Sequence, residues 1–243
     1  MNRCLKDDIR DYWEIRAQTY DQSIGHGAMS APEADAWLEA IWDHLGTGRA
    51  ALDLGCGTGV MSALLHRAGF RVTGLDFAEP MLARAKTAGI ACRIADAENT
   101  MEPDRSQDAI LARNLLWTLP DPAAALRDWF RVLRPGGRLM IIDGDFARES
   151  WIERLLGPVP DGHSLLTPAQ WAAHRRIMAR LPFGAGLRDR DVVALLRAAG
   201  FTAIRRAGIG PVLRARHPNR LSRAALVAHS QHRFIVSAAR PSA

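Results

Sequence analysis

The sequence predicts a doubly wound α/β fold, a largely parallel sheet with helices on both faces. Three observations lead there. From residue 50 to 143, short apolar runs alternate with helical patterns, and such alternation requires parallel strands joined by crossover helices. The run Ala51-Leu52-Asp53-Leu54-Gly55-Cys56-Gly57-Thr58-Gly59 reads as strand, glycine-rich turn and helix start. A carboxylate, Asp76, then closes the next apolar run, Arg71-Val72-Thr73-Gly74-Leu75-Asp76. Strand, glycine turn, helix, strand and carboxylate is the layout of a βαβ pocket for a nucleotide-type ligand.

The elements follow in order. Residues 7–44 read as helical, with Asp7 or Asp8 as a cap and Ile9, Tyr12, Trp13 and Arg16 along the first helix. Ser23-Ile24-Gly25-His26-Gly27 interrupts the pattern. Ser30 caps a second helix, which carries Trp37, Leu38, Ile41, Trp42 and Leu45 on one face and ends at Gly46 and Gly48. Strands are expected at about 50–54, 71–76, 91–95, 108–113 and 138–143, with helices at about 60–68, 79–88 and 122–133. Pro135-Gly136-Gly137 stops the last of these helices. Residues 144–186 are too long for a simple connection and are expected to form a cap. A helix at 188–199, a strand at 201–205, an irregular basic stretch and a strand at 233–238 complete the chain.

A length of 243 residues suits one domain with its own core. Its 48% hydrophobic and 24% charged residues are ordinary for a globular protein. No uninterrupted apolar run approaches the ~20 residues of a membrane span, and Met1–Asp8 has no signal-peptide core. Cytoplasmic residence and no membrane partner are the expectations. Cys4, Cys56 and Cys92 are too scattered for a disulfide framework or a zinc site, so no metal is expected. The net charge of +6 is uneven: from Phe201 onward there are eight arginines and no Asp or Glu. That segment reads either as meeting an anionic partner, a carboxylate or nucleic acid, or as a solvated face in a chain whose only lysines are Lys6 and Lys86.

The glycine spacing narrows the ligand. A dinucleotide site wants G-x-G-x-x-G, but Val60 stands where the third glycine should be. Asp53, two residues before Gly55, suits an ammonium group and would be poor beside a pyrophosphate. A carboxylate at Asp76 suits a ribose diol.

These residues resemble the first motif of the class I S-adenosylmethionine (SAM) methyltransferases of small-molecule type, and residues 50–143 look like the core of that family. The resemblance implies a Rossmann-like seven-stranded sheet, mostly parallel with an antiparallel last strand. It implies one domain over 1–243, with residues 1–46 as a helical lid and 144–186 as the cap. SAM is the implied cofactor. Asp53, Gly55, Cys56 and Gly57 map onto the methionine-binding turn, Asp76 onto the ribose carboxylate, and Phe77 and Met81 onto the walls beside adenine. Asp96, with the backbone amide of Ala97, maps onto the adenine amino contact; a helix-capping role for Asp96 is the alternative. Tyr20, and less directly Tyr12 or Arg16, would approach the methionine carboxylate.

Ligands in open α/β sheets sit beyond the carboxyl ends of the strands, which puts Arg113-Asn114-Leu115-Leu116-Trp117 beside the transferable methyl. Asn114 has a donor and an acceptor with which to orient an acceptor substrate. Trp117 packs either on the sulfonium or in the core. Because a sulfonium carries an activated methyl, positioning and water exclusion suffice for many acceptors. An O–H or protonated N–H acceptor would gain from a base, for which His163, His174 and His26 are candidates. Phe146, Trp151, Trp171 and Phe183 suggest an aromatic wall in the cap. The expected activity is methyl transfer from SAM to an oxygen, nitrogen or other heteroatom of a small molecule, by a monomer or homodimer. Intramolecular SAM breakdown to methylthioadenosine is the alternative. RNA methylation ranks lower, since no Asn-Pro-Pro-Tyr-type motif follows residue 113, and a non-catalytic SAM binder lower still.

Overall fold

The computed structural model describes residues 4–22, 27, 29–157 and 166–242. Strands β1 (Ala50–Leu54), β2 (Arg71–Asp76), β3 (Cys92–Ile94), β4 (Gln107–Arg113), β5 (Leu133–Gly144), β6 (Thr202–Gly208) and β7 (Arg233–Ala239) form one sheet in the order β3-β2-β1-β4-β5-β7-β6. β1 to β5 are mutually parallel, and β7 runs antiparallel to both β5 and β6. The chain winds outward from β1 to β3, then returns to place β4 on the other side of β1. The crevice at the carboxyl ends of β1 and β4 is the topological switch point, where such sheets take ligands.

The described helices are α1 (Leu5–Arg16), α2 (Ala31–Leu45), α3 (Val60–Arg67), α4 (Glu79–Thr87), α5 (Pro122–Val132), α6 (Trp151–Leu156), α7 (Pro168–Met178), α8 (Asp189–Ala198), α9 (Gly210–Arg216) and α10 (Arg223–Ser230). Alternate side chains of a strand face opposite sides of the sheet. Leu52, Leu54, Ile110, Leu139 and Ile141 pack with Trp129 of α5 and Leu196 of α8. Ala51, Leu111, Met140 and Ile142 pack with Trp37 and Ile41 of α2, Leu65 of α3 and Leu213 of α9. Burial on both faces explains why these strands read as continuous apolar runs.

Ser30 caps α2 as expected, its Oγ accepting from Glu33 N–H at 3.3 Å. Three expectations are corrected. Neither Asp7 nor Asp8 is the first cap: α1 starts after Cys4, and Asp7 sits in the first turn, its carboxylate accepting from Cys4 N–H at 3.1 Å. β5 begins at Leu133, which already pairs with Gln107 before the register shifts and resumes at Ala109 and Arg138. The basic stretch after β6 is α9 and α10, not irregular chain. Its prolines and serines punctuate rather than forbid helix: Pro211 lies in the first turn of α9, and Ser222 caps α10 by accepting from Ala225 N–H at 3.2 Å. No described helix is long and apolar enough to cross a membrane.

Candidate cofactor and acceptor site

The turn after β1 needs its glycines. Gly55, Gly57 and Gly59 all have left-handed backbone, and Gly57 at φ +55° brings its N–H onto Asp76 Oδ2 at 2.9 Å. Ala78 N–H donates to the other oxygen, Oδ1, at 2.9 Å. The Asp76 carboxylate is thus locked at the tip of β2. Burial pushes its pKa up, and these amides oppose that by favouring the anion. Tyr20 lies over the turn: a Cβ at position 57 would stand 3.5 Å from its ring.

A cavity opens here at the switch point, with Asp76, Phe77, Met81, Asp96, Ala97, Arg113, Asn114, Gly55, Gly57 and Tyr20 on its lining. All but Asn114 are residues that the resemblance implies for the cofactor, and Asn114 is the one expected to orient the acceptor. Trp13 and Ile9 of α1 also line it. An adenosyl group fits this donor set. Asp76 retains acceptor capacity for two hydroxyls, Phe77 and Met81 form apolar walls, and Asp96 offers an acceptor for an exocyclic amine.

Arg113 ends β4 against the cavity, with its guanidinium 5.5 Å from the centre of the Trp37 ring. Burial lowers its pKa, and the neighbouring Tyr20 hydroxyl counteracts this. Burial in turn drives the Tyr20 hydroxyl up to about 12, so it stays protonated at neutral pH.

Several predicted residues do not reach the cavity. Asp53 is buried beneath the turn, accepting from Ser62 Oγ of α3 at 2.6 Å, and burial raises its carboxyl to about 7. It does not line the cavity as the expected ammonium partner. Cys56 is buried against Gly74, where a Cβ would meet its Sγ at 2.7 Å. Arg16 is buried at the end of α1 and donates to Thr19 Oγ1 at 3.1 Å.

On the acceptor side, Asn114 adopts φ +54°, donates its N–H to Ile142 O at 2.8 Å and faces the cavity. Its carboxamide makes no hydrogen bond among the described residues. The backbone carbonyl of Asn114 accepts from Trp117 Nε1 at 3.0 Å. Trp117 is therefore turned back onto Asn114 and does not line the cavity. Its ring meets Phe146 at 5.5 Å and His174 at 6.4 Å between centroids. His174 also contacts Tyr12 at 5.4 Å and Trp171 at 5.7 Å. Tyr12, Trp117, Phe146, Trp171 and His174 thus form a cluster adjoining the cavity rather than its lining. His26 and His163 lie outside the described residues.

Sequence reasoning gave no role to three residues, two on the cavity lining and one behind it. Lys6 of α1 lines the cavity and its Nζ lies 2.5 Å from both Asp96 Oδ2 and Glu98 Oε2. Glu98 also accepts from Asp121 N–H at 2.6 Å. Asp143, buried at the end of β5, accepts from Gly144 N–H at 2.9 Å and Trp117 N–H at 3.4 Å, and burial raises it to about 7. No group of His, Cys, Asp and Glu among the described residues has a metal-holding arrangement.

Fold and site together define the class of pocket, an adenosyl-type cavity at the switch point of a doubly wound sheet. Residues 52–141 match the family described as Methyltransferase domain. A ubiquinone biosynthesis O-methyltransferase of Aeromonas salmonicida is 30% identical over 162 residues, covering 60% of this chain and 65% of that relative. The chain therefore spans just under two thirds of that relative's length. The fold superposes on Haemonchus contortus phosphoethanolamine N-methyltransferase 2, solved with SAM, with a TM-score of 0.65 at 17% identity over 96% of this chain and 60% of that one. It superposes equally on the (4+2)-cyclase SpnF, with a TM-score of 0.65 at 18% identity over 97% of this chain and 96% of that one.

Proposed function

We propose that the protein transfers the methyl group of SAM to an oxygen, nitrogen or other heteroatom of a small molecule. The observation that carries this reading is the locked pair of Gly57 and Asp76 at the switch point, in a cavity that also displays the Asn114 carboxamide. We further propose that residues 1–243 act as one cytoplasmic domain, with 1–46 as its lid and 144–186 as its cap.

Bound SAM supplies an electrophilic methyl group on a positively charged sulfur. The chain's residues do the rest. Asp76 orients the ribose, and Phe77 and Met81 take up the purine. Trp13 and Tyr20 close the cavity from above and keep water out. Asn114, with both donor and acceptor, aligns the incoming heteroatom. His174 stands beside the cavity and not on its lining, so it takes the proton from an O–H or protonated N–H acceptor through one bridging water. A variant with His174→Gln is expected to lose about 100-fold in kcat, within the range typical of general-base removal.

Mass spectrometry of the cofactor product tests the reading. SAM with a pooled metabolite extract is expected to yield S-adenosylhomocysteine, and SAM alone to yield nothing. Methylthioadenosine from SAM alone would replace methyl transfer by intramolecular breakdown.

A further inference from the structure

We infer that the face built by α6, α10 and the connection between α9 and α10 docks on an anionic lipid bilayer. A groove between α6 and α10 is lined by Trp151, Arg214, Arg220, Leu226 and His229. Around it, large apolar side chains stand in solvent: Trp151 is 66% exposed, Leu155 73% and Leu221 84%. Isolated exposed leucines are ordinary, but Leu155 stands one turn beyond Trp151 on α6 and Leu221 follows Arg220 in the chain, so both flank residues of the groove, and exposed apolar side chains beside cations mark an interaction surface.

The arginines of this face differ from their neighbours. Arg205 pairs with Asp43, Arg206 with Asp189 and Arg216 with Glu33. Among the described residues, the side chains of Arg214 and Arg220 make neither an ion pair nor a hydrogen bond. No carboxylate occurs after residue 200 to neutralise them. Glu153 of α6 is turned into its own helix start, accepting from Ser150 N–H at 3.4 Å.

The chemistry of the occupant follows from this mixture. Arginines meet lipid phosphates, an indole sits at headgroup depth, and aliphatic tips enter the acyl boundary. A nucleic acid would use the arginines and could stack on Trp151, but it has no counterpart for Leu155 and Leu221. Charge complementarity and the leucines together select the bilayer. The expectation of no membrane partner rested on the lack of a span, which says nothing about a face that lies on the surface. α6 leaves the carboxyl end of β5, and α10 leads to Arg233, which pairs with Gly144 at that same end. The face therefore shares its edge of the sheet with the cavity, although the inference stands without any particular acceptor.

Vesicle co-sedimentation of the full chain tests it. Binding is expected to vesicles of phosphatidylcholine with phosphatidylglycerol, to be absent with phosphatidylcholine alone, and to be released by salt. Arg214→Ser with Arg220→Ser is expected to weaken binding about 30-fold, from ~1 kcal/mol per arginine near the surface. Leu155→Ser with Leu221→Ser should weaken it several-fold at unchanged Tm. No binding to anionic vesicles would overturn the inference, as would binding that the leucine variant leaves intact. Displacement by millimolar inorganic phosphate would reduce the face to an anion subsite. Preference for an RNA oligonucleotide over vesicles would assign it to nucleic acid.

Discussion

Asp53 and Asp76, twenty-three residues apart, show how the same residue type takes two roles. Asp76 ends its strand and is held by the amides of Gly57 and Ala78 at the cavity. Asp53 lies between Leu52 and Leu54, which face α5 and α8, so its own side chain points to the α3 side and meets Ser62. Spacing along a motif gives distance from the turn, not the face. That is why Asp76, Asp96, Arg113 and Asn114 were legible as lining residues, while Asp53 and Cys56 were expected at the cavity and lie behind it. Asp143 carries a pH consequence. Its folded pKa, about 7, lies above the ordinary 3.8 because burial disfavours the anion. Between those values the folded state holds a proton that the unfolded chain has lost. This contribution to stability is fully present below about pH 3.8 and is lost as pH rises through about 7. Urea unfolding of Asp143→Asn at several pH values should show a smaller decline over that window than the parent chain shows. An identical decline in both would contradict the account.

At the scale of elements, α1 is a strap fastened at its ends by charge. Lys6 ties its start to Asp96 and Glu98, Asp8 pairs with Arg180 at 2.7 Å beside the cap helix α7, and beyond its end Asp21 pairs with Arg84. Between these ties Ile9 and Tyr12 pack on Ile177 and Leu181. Lys6→Ala is expected to speed SAM release severalfold in stopped-flow measurements, with little change in Tm, since Lys6 and Asp96 both reach solvent and such ion pairs contribute about 0–1 kcal/mol each to folding. An unchanged release rate would detach the strap from ligand retention. The turn into α3 offers a complementary test of stability. Gly59 has φ +88°, and an added Cβ would lie 2.9 Å from Ile90 Cγ1 and 3.2 Å from Ala85 Cβ. Gly59→Ala should lose about 1–3 kcal/mol in urea unfolding, from left-handed backbone strain and crowding. Most helices and strands of the sheet were legible because period and punctuation are local signals. The Lys6 tie was not, because its partners lie some ninety residues away in sequence. α9 and α10 were masked by prolines and arginines that read as loop, although Pro211 opens the first turn of α9 and Ser222 caps α10.

For the whole molecule, the order β3-β2-β1-β4-β5-β7-β6 creates the site, because only the reversal between β1 and β4 leaves a crevice at the carboxyl ends of adjacent strands. The alternation of apolar runs was enough to anticipate that sheet, since strands buried on both faces must be apolar throughout. What lay over the crevice was less legible: the aromatic cluster around His174 joins α1, the turn after β4 and α7, and only the folded chain brings these together. The central claim is that the cavity holds SAM through the carboxylate that Gly57 and Ala78 fix in place. Calorimetric titration with SAM, on the parent chain and on Asp76→Ala, tests it most directly. Saturable binding at one site is expected for the parent. Losing hydrogen bonds to a charged group, about 1.5–3 kcal/mol, should weaken the variant roughly 10- to 100-fold. No binding by the parent, or equal affinity in both proteins, would contradict the account.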